Sequence, residues 1–226
     1  MNKLFTQNFL CILFILSSCT ENTNVRKNVA SELDRKIHVP EFNADSCYSY
    51  IQKQVEFGPR YLSSEGAKNC SKWLIKKLSK IADTLIVQEA NVITYDNKRH
   101  KIKNIIASFH TEKNNRILLM AHWDTRHIAD HDSVRKNKPI LGANDGGSGV
   151  GMLIEIARNI EIKKPKVGID IILFDGEDYG QPENSKFPIM QDSWCLGSQY
   201  WSKNKHRKNY FAKYGILLDM VGGPNA

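Results

Sequence analysis

The chain has 226 residues, 41% of them hydrophobic and 25% charged, which suits one globular domain with a sizeable core plus a tail. Its formal net charge of +8 raises the question of nucleic-acid binding. The distribution argues against it: the basic residues fall into short scattered groups, such as 98–103, 163–166 and 203–208, and no aromatic-basic motif accompanies them. No nucleic-acid partner is expected.

In chain order, the first signal is MNKLFTQNFLCILFILSSCT, with one lysine, an apolar run over 9–16 and small residues up to Cys19. The run is too short to span a membrane as a mature helix and fits the central region of a secretory signal. LSSC at 16–19 resembles the bacterial lipoprotein box, in which Cys19 is lipidated and becomes the mature N-terminus. The expected organisation is therefore a leader over 1–19, a polar tether over 20–40 and a catalytic-type domain over 41–226. The protein is expected to be exported and held to a membrane by a lipid anchor, on a periplasmic or cell-surface face. Of the five cysteines, Cys47, Cys70 and Cys195 remain in the mature domain. One disulfide is possible among them, its pairing unassigned, while Cys47 and Cys70 also suit buried helical positions.

DSCYSYIQKQVEFGPR predicts a helix capped by Asp45 and stopped at Gly58-Pro59, with Tyr48, Ile51 and Val55 at helical spacing. SSEGAKNCSKWLIKKLSKIA predicts a second helix with Ala67, Cys70, Leu74, Leu78 and Ile81 on one side. TLIVQEANVITY, KNIIASF and RILLMA read as strands, followed by a helix from Gly149 to about Ile160. GIDIILFD and YGILLDMV read as buried strands, separated by a loop and the short helical stretch LGSQYWSKN. This alternation predicts an α/β three-layer sandwich around a mixed, mostly parallel central sheet.

In such sheets ligands bind beyond the carboxyl ends of the strands, and the polar clusters of this chain lie there. AHWDTR follows one strand, the DGED of IDIILFDGED another, and Asp219 a third, while Asp145 in GANDGGSGVG precedes a helix. His122, Asp124, Asp145, Glu177, Asp178 and Asp219 are thus expected on one rim. Carboxylates with an imidazole suit a divalent cation, and zinc accepts both donor types. Glu177 and Asp178, adjacent at a strand end, point different ways, so one can bind metal while the other moves protons.

AHWDTR, GANDGGSGVGMLIEIAR, DIILFDGEDYG, WCLGSQYWS and LLDMVGGPN together resemble the zinc-dependent glutaminyl-peptide cyclotransferases of aminopeptidase-like fold. FGPRYLSSEGAKNCSKWLIKKL is similar to that group's early helical region, so the resemblance covers about 45–226. It implies zinc held by Asp145 and Asp178, with Asp178 standing where the family more often has Glu. It implies Glu177 as the catalytic acid/base and Asp219 as the carboxylate that holds the substrate's amino group. His122 and Asp124 match an H-x-D pattern whose members orient the site from behind rather than bind metal. The implied reaction converts N-terminal glutaminyl residues of peptides or proteins to pyroglutamyl with release of ammonia. The family's third zinc ligand is a histidine beyond LLDMVGGPN, so a C-terminal part of the fold is expected to be missing from this sequence, after Ala226. Two alternatives stand beside this reading: a co-catalytic zinc aminopeptidase of the same fold, using His122, Asp145, Asp178 and Asp219 for two metals, and an inactive truncated surface lipoprotein.

Overall fold

The computed structural model describes residues 39–223. The leader, Cys19 and all but the last residues of the tether lie outside the described residues. From Pro40 on, the described residues form one compact unit.

Helix α1 (Ala44–Glu56) is capped by Asn43, whose side chain accepts from the Ser46 amide at 2.7 Å. Asp45, the expected cap, instead lies in the first turn, where its charge meets the positive end of the helix dipole. The chain then turns through Gly58 (φ 81°) into Pro59, which has no amide hydrogen to continue the ladder. Helix α2 (Glu65–Leu78) begins at Ser64, whose hydroxyl accepts from the Ala67 amide at 3.0 Å. Its buried side carries Ala67, Cys70, Leu74 and Leu78, the i, i+3, i+7 and i+11 positions of one face. Cys47, Cys70 and Cys195 are free thiols, so no disulfide forms among them.

Strands β1 (Thr84–Ile93) and β2 (Arg99–Phe109) make an antiparallel hairpin, with Thr84 opposite Ser108 and Ile93 opposite Arg99. Strand β3 (Arg116–His122), helix α3 (Gly147–Ile162) and strand β4 (Gly168–Phe174) follow, then helix α4 (Leu196–Lys203) and strand β5 (Gly215–Leu217). The sheet order is β1-β2-β4-β3-β5. β4 pairs parallel with β3 and β3 parallel with β5, whereas β4 is antiparallel to β2. The sheet is mixed, as expected, but its described ladders divide evenly between the two senses. The hairpin turn over 94–98 reverses the chain too soon for a crossover, and this makes the β1 side antiparallel.

Helices cover both faces. Ile105, Ala107 and Phe109 of β2 and Ile169, Ile171 and Leu173 of β4 pack with Leu74 and Leu78 of α2 and Val150, Leu153 and Ala157 of α3. The alternate residues Ile106, Ile172, Leu118 and Phe174 face the other way, beneath Trp201 of α4. Every residue of β4, the central strand, is buried. At the far end of the strands, Arg116 makes two bonds to Asp170, at 2.6 and 2.8 Å, and Asp170 also accepts from Ser108 and Tyr210. This buried ion pair is fully hydrogen-bonded, the condition under which burying charge is tolerated.

YGILLDMV departs from expectation. Only Gly215–Leu217 form a strand, and Ile216 and Leu217 are 46% and 59% exposed. β5 is the outermost strand of the described sheet and pairs on one side only.

Candidate metal and acid–base site

The parallel ladder of β3 and β4 ends with His122 opposite Phe174. From there the backbone delivers acids to the imidazole from four directions. Nε2 of His122 lies 3.0 Å from Asp145 and 3.5 Å from Asp219, while Nδ1 lies 3.3 Å from Glu177 and 3.5 Å from Asp124. The six residues expected on the rim therefore meet, and His122 is their centre.

Local backbone geometry explains the convergence. Gly176 adopts φ 66°, a left-handed turn that lifts Glu177 and Asp178 off the end of β4. Asp124 is fully buried, and its two carboxylate oxygens accept from the amides of Glu177 and Asp178, each at 3.0 Å. It therefore sits behind the site and holds the loop. Gly146, at φ 79°, brings Asp145 to the site ahead of α3, and a Cβ there would sit 2.4 Å from the Asp124 carbonyl and against the His122 ring. His122 lies among the candidate donors, with its Nε2 near Asp145 and Asp219.

Glu177 and Asp178 diverge as adjacent residues should. Glu177 faces His122 and the Cys195 thiol, which donates to Oε1 at 3.4 Å. Asp178 shares a donor group with His122 and Asp145, the three ligand atoms lying within 4.8 Å of one another. His122, Glu177 and Asp219 form a second such group. Burial, with the charges of Asp124 and Asp145 added, pushes the Asp178 carboxyl up to about 8. Burial also raises Glu177, and His122 only partly offsets it. Asp145 is held below the usual carboxylate range, first by its bond to His122. For His122 burial acts downward, but bonds to Asp124 and Asp145 outweigh it and push the imidazole up to about 12. Such mutual perturbation is that of an acidic cluster arranged around positive charge. Asp178 Oδ2 is buried without a hydrogen-bond partner, and it is thus available to a cation. Two carboxylates and one imidazole at mutual ligand distance fit a divalent metal of the zinc type.

Two contributors are visible only in three dimensions. Arg126 forms a bidentate pair with Asp130, donates to the carbonyls of Asp178 and Gly180, and lies 4.4 Å from the Trp194 ring. Its signal in sequence was no more than its place in AHWDTR. Cys195, at the start of α4 with φ 56°, was legible only as an unassigned thiol.

Comparison with known proteins places this geometry. The model of peptidase family M28 matches residues 104–226, more than half of the chain. The chain belongs to peptidase family M28. A Zn-dependent exopeptidase of Parabacteroides distasonis superposes with TM-score 0.81 at 51% identity, covering 84% of this chain and 65% of that one. Glutaminyl cyclase of Bacteroides thetaiotaomicron, solved with N-acetylhistamine bound, superposes with TM-score 0.80 at 49% identity, covering 83% and 65%. Among curated sequences, a probable leucine aminopeptidase of Trichophyton verrucosum is 31% identical over 106 residues, which are 47% of this chain and 27% of that protein. This chain thus spans just under two thirds of the solved relatives and about a quarter of that aminopeptidase.

Proposed function

We propose that this M28 chain carries the site of a zinc-dependent glutaminyl-peptide cyclotransferase, acting on peptides or proteins with N-terminal Gln. The observation that carries the reading is one small cavity, about 160 Å³, into which Glu177 and Asp219 both open beside His122, with Met120, Phe174 and Leu217 as apolar wall. It is well below the ~300–1,000 Å³ of sites for drug-sized ligands and suits one terminal residue. The 49% identity to a glutaminyl cyclase supports the same assignment.

Asp145 and Asp178 would hold zinc, with His122 as a third donor in reach, and the metal supplies polarisation of the substrate's side-chain carbonyl. Asp219 accepts a hydrogen bond from the substrate's α-amine and fixes its direction. Glu177 takes a proton from that amine as its nitrogen bonds to the side-chain carbonyl carbon. It then delivers a proton to the departing amide nitrogen, which leaves as ammonia when the carbon–nitrogen bond breaks. The nucleophile belongs to the substrate, so ring closure needs no nucleophilic protein side chain, and holding the two ends together supplies much of the rate. Asp124 keeps Glu177 in register through the loop amides.

One observation favours a second reading, a two-metal aminopeptidase. His122 Nε2 is close to both Asp145 and Asp219, so the two donor groups share a ligand. Substrate choice separates the readings. With zinc and an N-terminal glutaminyl peptide, the cyclotransferase releases ammonia and leaves a pyroglutamyl terminus, the peptide lighter by one nitrogen and three hydrogens, whereas an aminopeptidase releases free amino acid.

A further inference from the structure

Arg60 follows the Gly58-Pro59 turn between α1 and α2, and it is wholly buried. Its guanidinium donates to backbone carbonyls of three separate segments. Nε reaches Trp123 at 3.0 Å, Nη1 reaches Gln54 at 3.3 Å and Leu141 at 2.8 Å, and Nη2 reaches Gly142 at 2.7 Å. The Arg60 amide also donates to Thr125 Oγ1 at 2.8 Å. Trp123 stands between His122 and Asp124 at the end of β3, and Leu141 and Gly142 shortly precede Asp145. One side chain thus joins the two segments whose approach sets the 3.0 Å between His122 and Asp145. The segments also meet closely: Gly142 has φ 59°, and a Cβ there would sit 2.3 Å from Thr125 Cγ2 and 2.6 Å from the Asp145 carbonyl. All of the guanidinium's acceptors are neutral carbonyls, and burying a charge without a paired acid is costly. Burial lowers the Arg60 guanidinium, and Asp124, Asp145 and Asp178 are among the groups that oppose it. The acids of the site therefore answer this charge from a distance.

We infer that Arg60 is a positioning residue for the metal donors, its planar fork locking the loop that carries Asp145 against the strand end that carries His122 and Asp124. The fork is what the geometry uses. A guanidinium presents its donors in a rigid plane from three nitrogens, whereas a lysine ammonium presents all of its donors from one point. Lysine would keep the charge but could not hold Trp123, Leu141 and Gly142 together. The inference rests on Asp145 and Asp178 being zinc donors, as proposed above. It does not depend on ring closure, since the aminopeptidase reading uses the same donors.

The test is the zinc affinity of the full chain, measured by competition with a chromophoric chelator, beside urea unfolding in excess chelator. Loss of a partner that orients metal ligands typically weakens binding ~10–100-fold, and Arg60→Lys is expected to fall in that range. Tyr210→Phe removes the hydroxyl bonded to Asp170 at the far end of the strands, and it is expected to lose stability while keeping wild-type zinc affinity. A purely structural Arg60 would behave like Tyr210, so a loss of zinc affinity in Arg60→Lys smaller than about tenfold overturns the inference. Should Arg60→Lys fail to fold, Thr125→Val takes its place. It keeps a methyl against Gly142 but removes the acceptor of the Arg60 amide, and zinc affinity is expected to fall about threefold or more. Unchanged affinity there overturns the inference. Absence of zinc binding by the wild type overturns the donor assignment itself and this inference with it, whereas binding that Arg60 does not influence overturns this inference alone.

Discussion

Replacing Asp124 by Asn removes the group that holds the catalytic loop while preserving its volume. In the wild type, two amides, those of Glu177 and Asp178, donate to a buried carboxylate at 3.0 Å each. Hydrogen bonds to charged groups contribute ~1.5–3 kcal/mol each, so the pair is worth about 3–6 kcal/mol. The Asn side chain retains one carbonyl oxygen, which restores ~0.5–1.5 kcal/mol, and presents its NH₂ to the other amide, donor against donor. The structural loss is therefore about 2–5 kcal/mol. In the metal-free chain part of this is recovered, because the Asp124 charge is among the causes that raise both Asp175 and Asp178. With metal bound that relief disappears, and loss of an orienting partner typically costs ~10–100-fold in metal affinity. Urea unfolding of Asp124→Asn should thus show a modest loss of stability with chelator and a larger one with saturating zinc. Equal losses under both conditions would mean that Asp124 serves the fold alone. No loss in either would mean that the loop is not held by these bonds.

Glu177→Gln keeps size and hydrogen bonding but cannot shuttle protons, so turnover should fall ~10²–10⁴-fold with metal content unchanged. Undiminished turnover would remove Glu177 from the mechanism. Asp178 is protonated in the folded metal-free chain up to about pH 8, against ~3.9 when unfolded. The folded state then binds more protons across that window, so the site's stability contribution is full below pH ~4 and is lost as pH rises towards 8. Chelator-treated wild type should melt lower at pH 8 than at pH 5 relative to Asp178→Asn, and a slope unaffected by that substitution would contradict the assignment. Asp170→Ala strands Arg116 in the core and should cost ~3–5 kcal/mol in denaturant unfolding, where a loss under 1 kcal/mol would show the pair to be dispensable. We also propose that Cys19 carries a lipid anchor: Cys19→Ala should leave the detergent phase in a partition experiment, and partition equal to wild type would refute it.

Helix α2 shows what was plain in sequence and why. The spacing of Ala67, Cys70, Leu74 and Leu78 is a local signal, and local signals survive folding. The run of β4, apolar but for Asp170, likewise announced a buried strand. β5 misled because an apolar run reads the same whether or not neighbours cover it, and exposure depends on elements distant in the chain. The hairpin of β1 and β2 bore its own sign in the TYDNKRH turn, where Asn97 takes a left-handed conformation, and an expectation of mostly parallel pairing gave that turn too little weight. For the site, strand ends placed six side chains on one rim. Which nitrogen of His122 meets which acid depends on the Gly176 and Gly146 turns, on Asp124 reaching across to two amides, and on the Arg126 clamp. None of these has a periodicity to read.

The central claim is ring closure by a substrate amine under Glu177 and Asp219, and ammonia release tests it most directly. The full chain with zinc and a peptide bearing N-terminal Gln is predicted to liberate ammonia and form a pyroglutamyl terminus, and to lose both in Glu177→Gln. Release of free glutamine from the same peptide, with no ammonia, would contradict the account and favour the two-metal aminopeptidase.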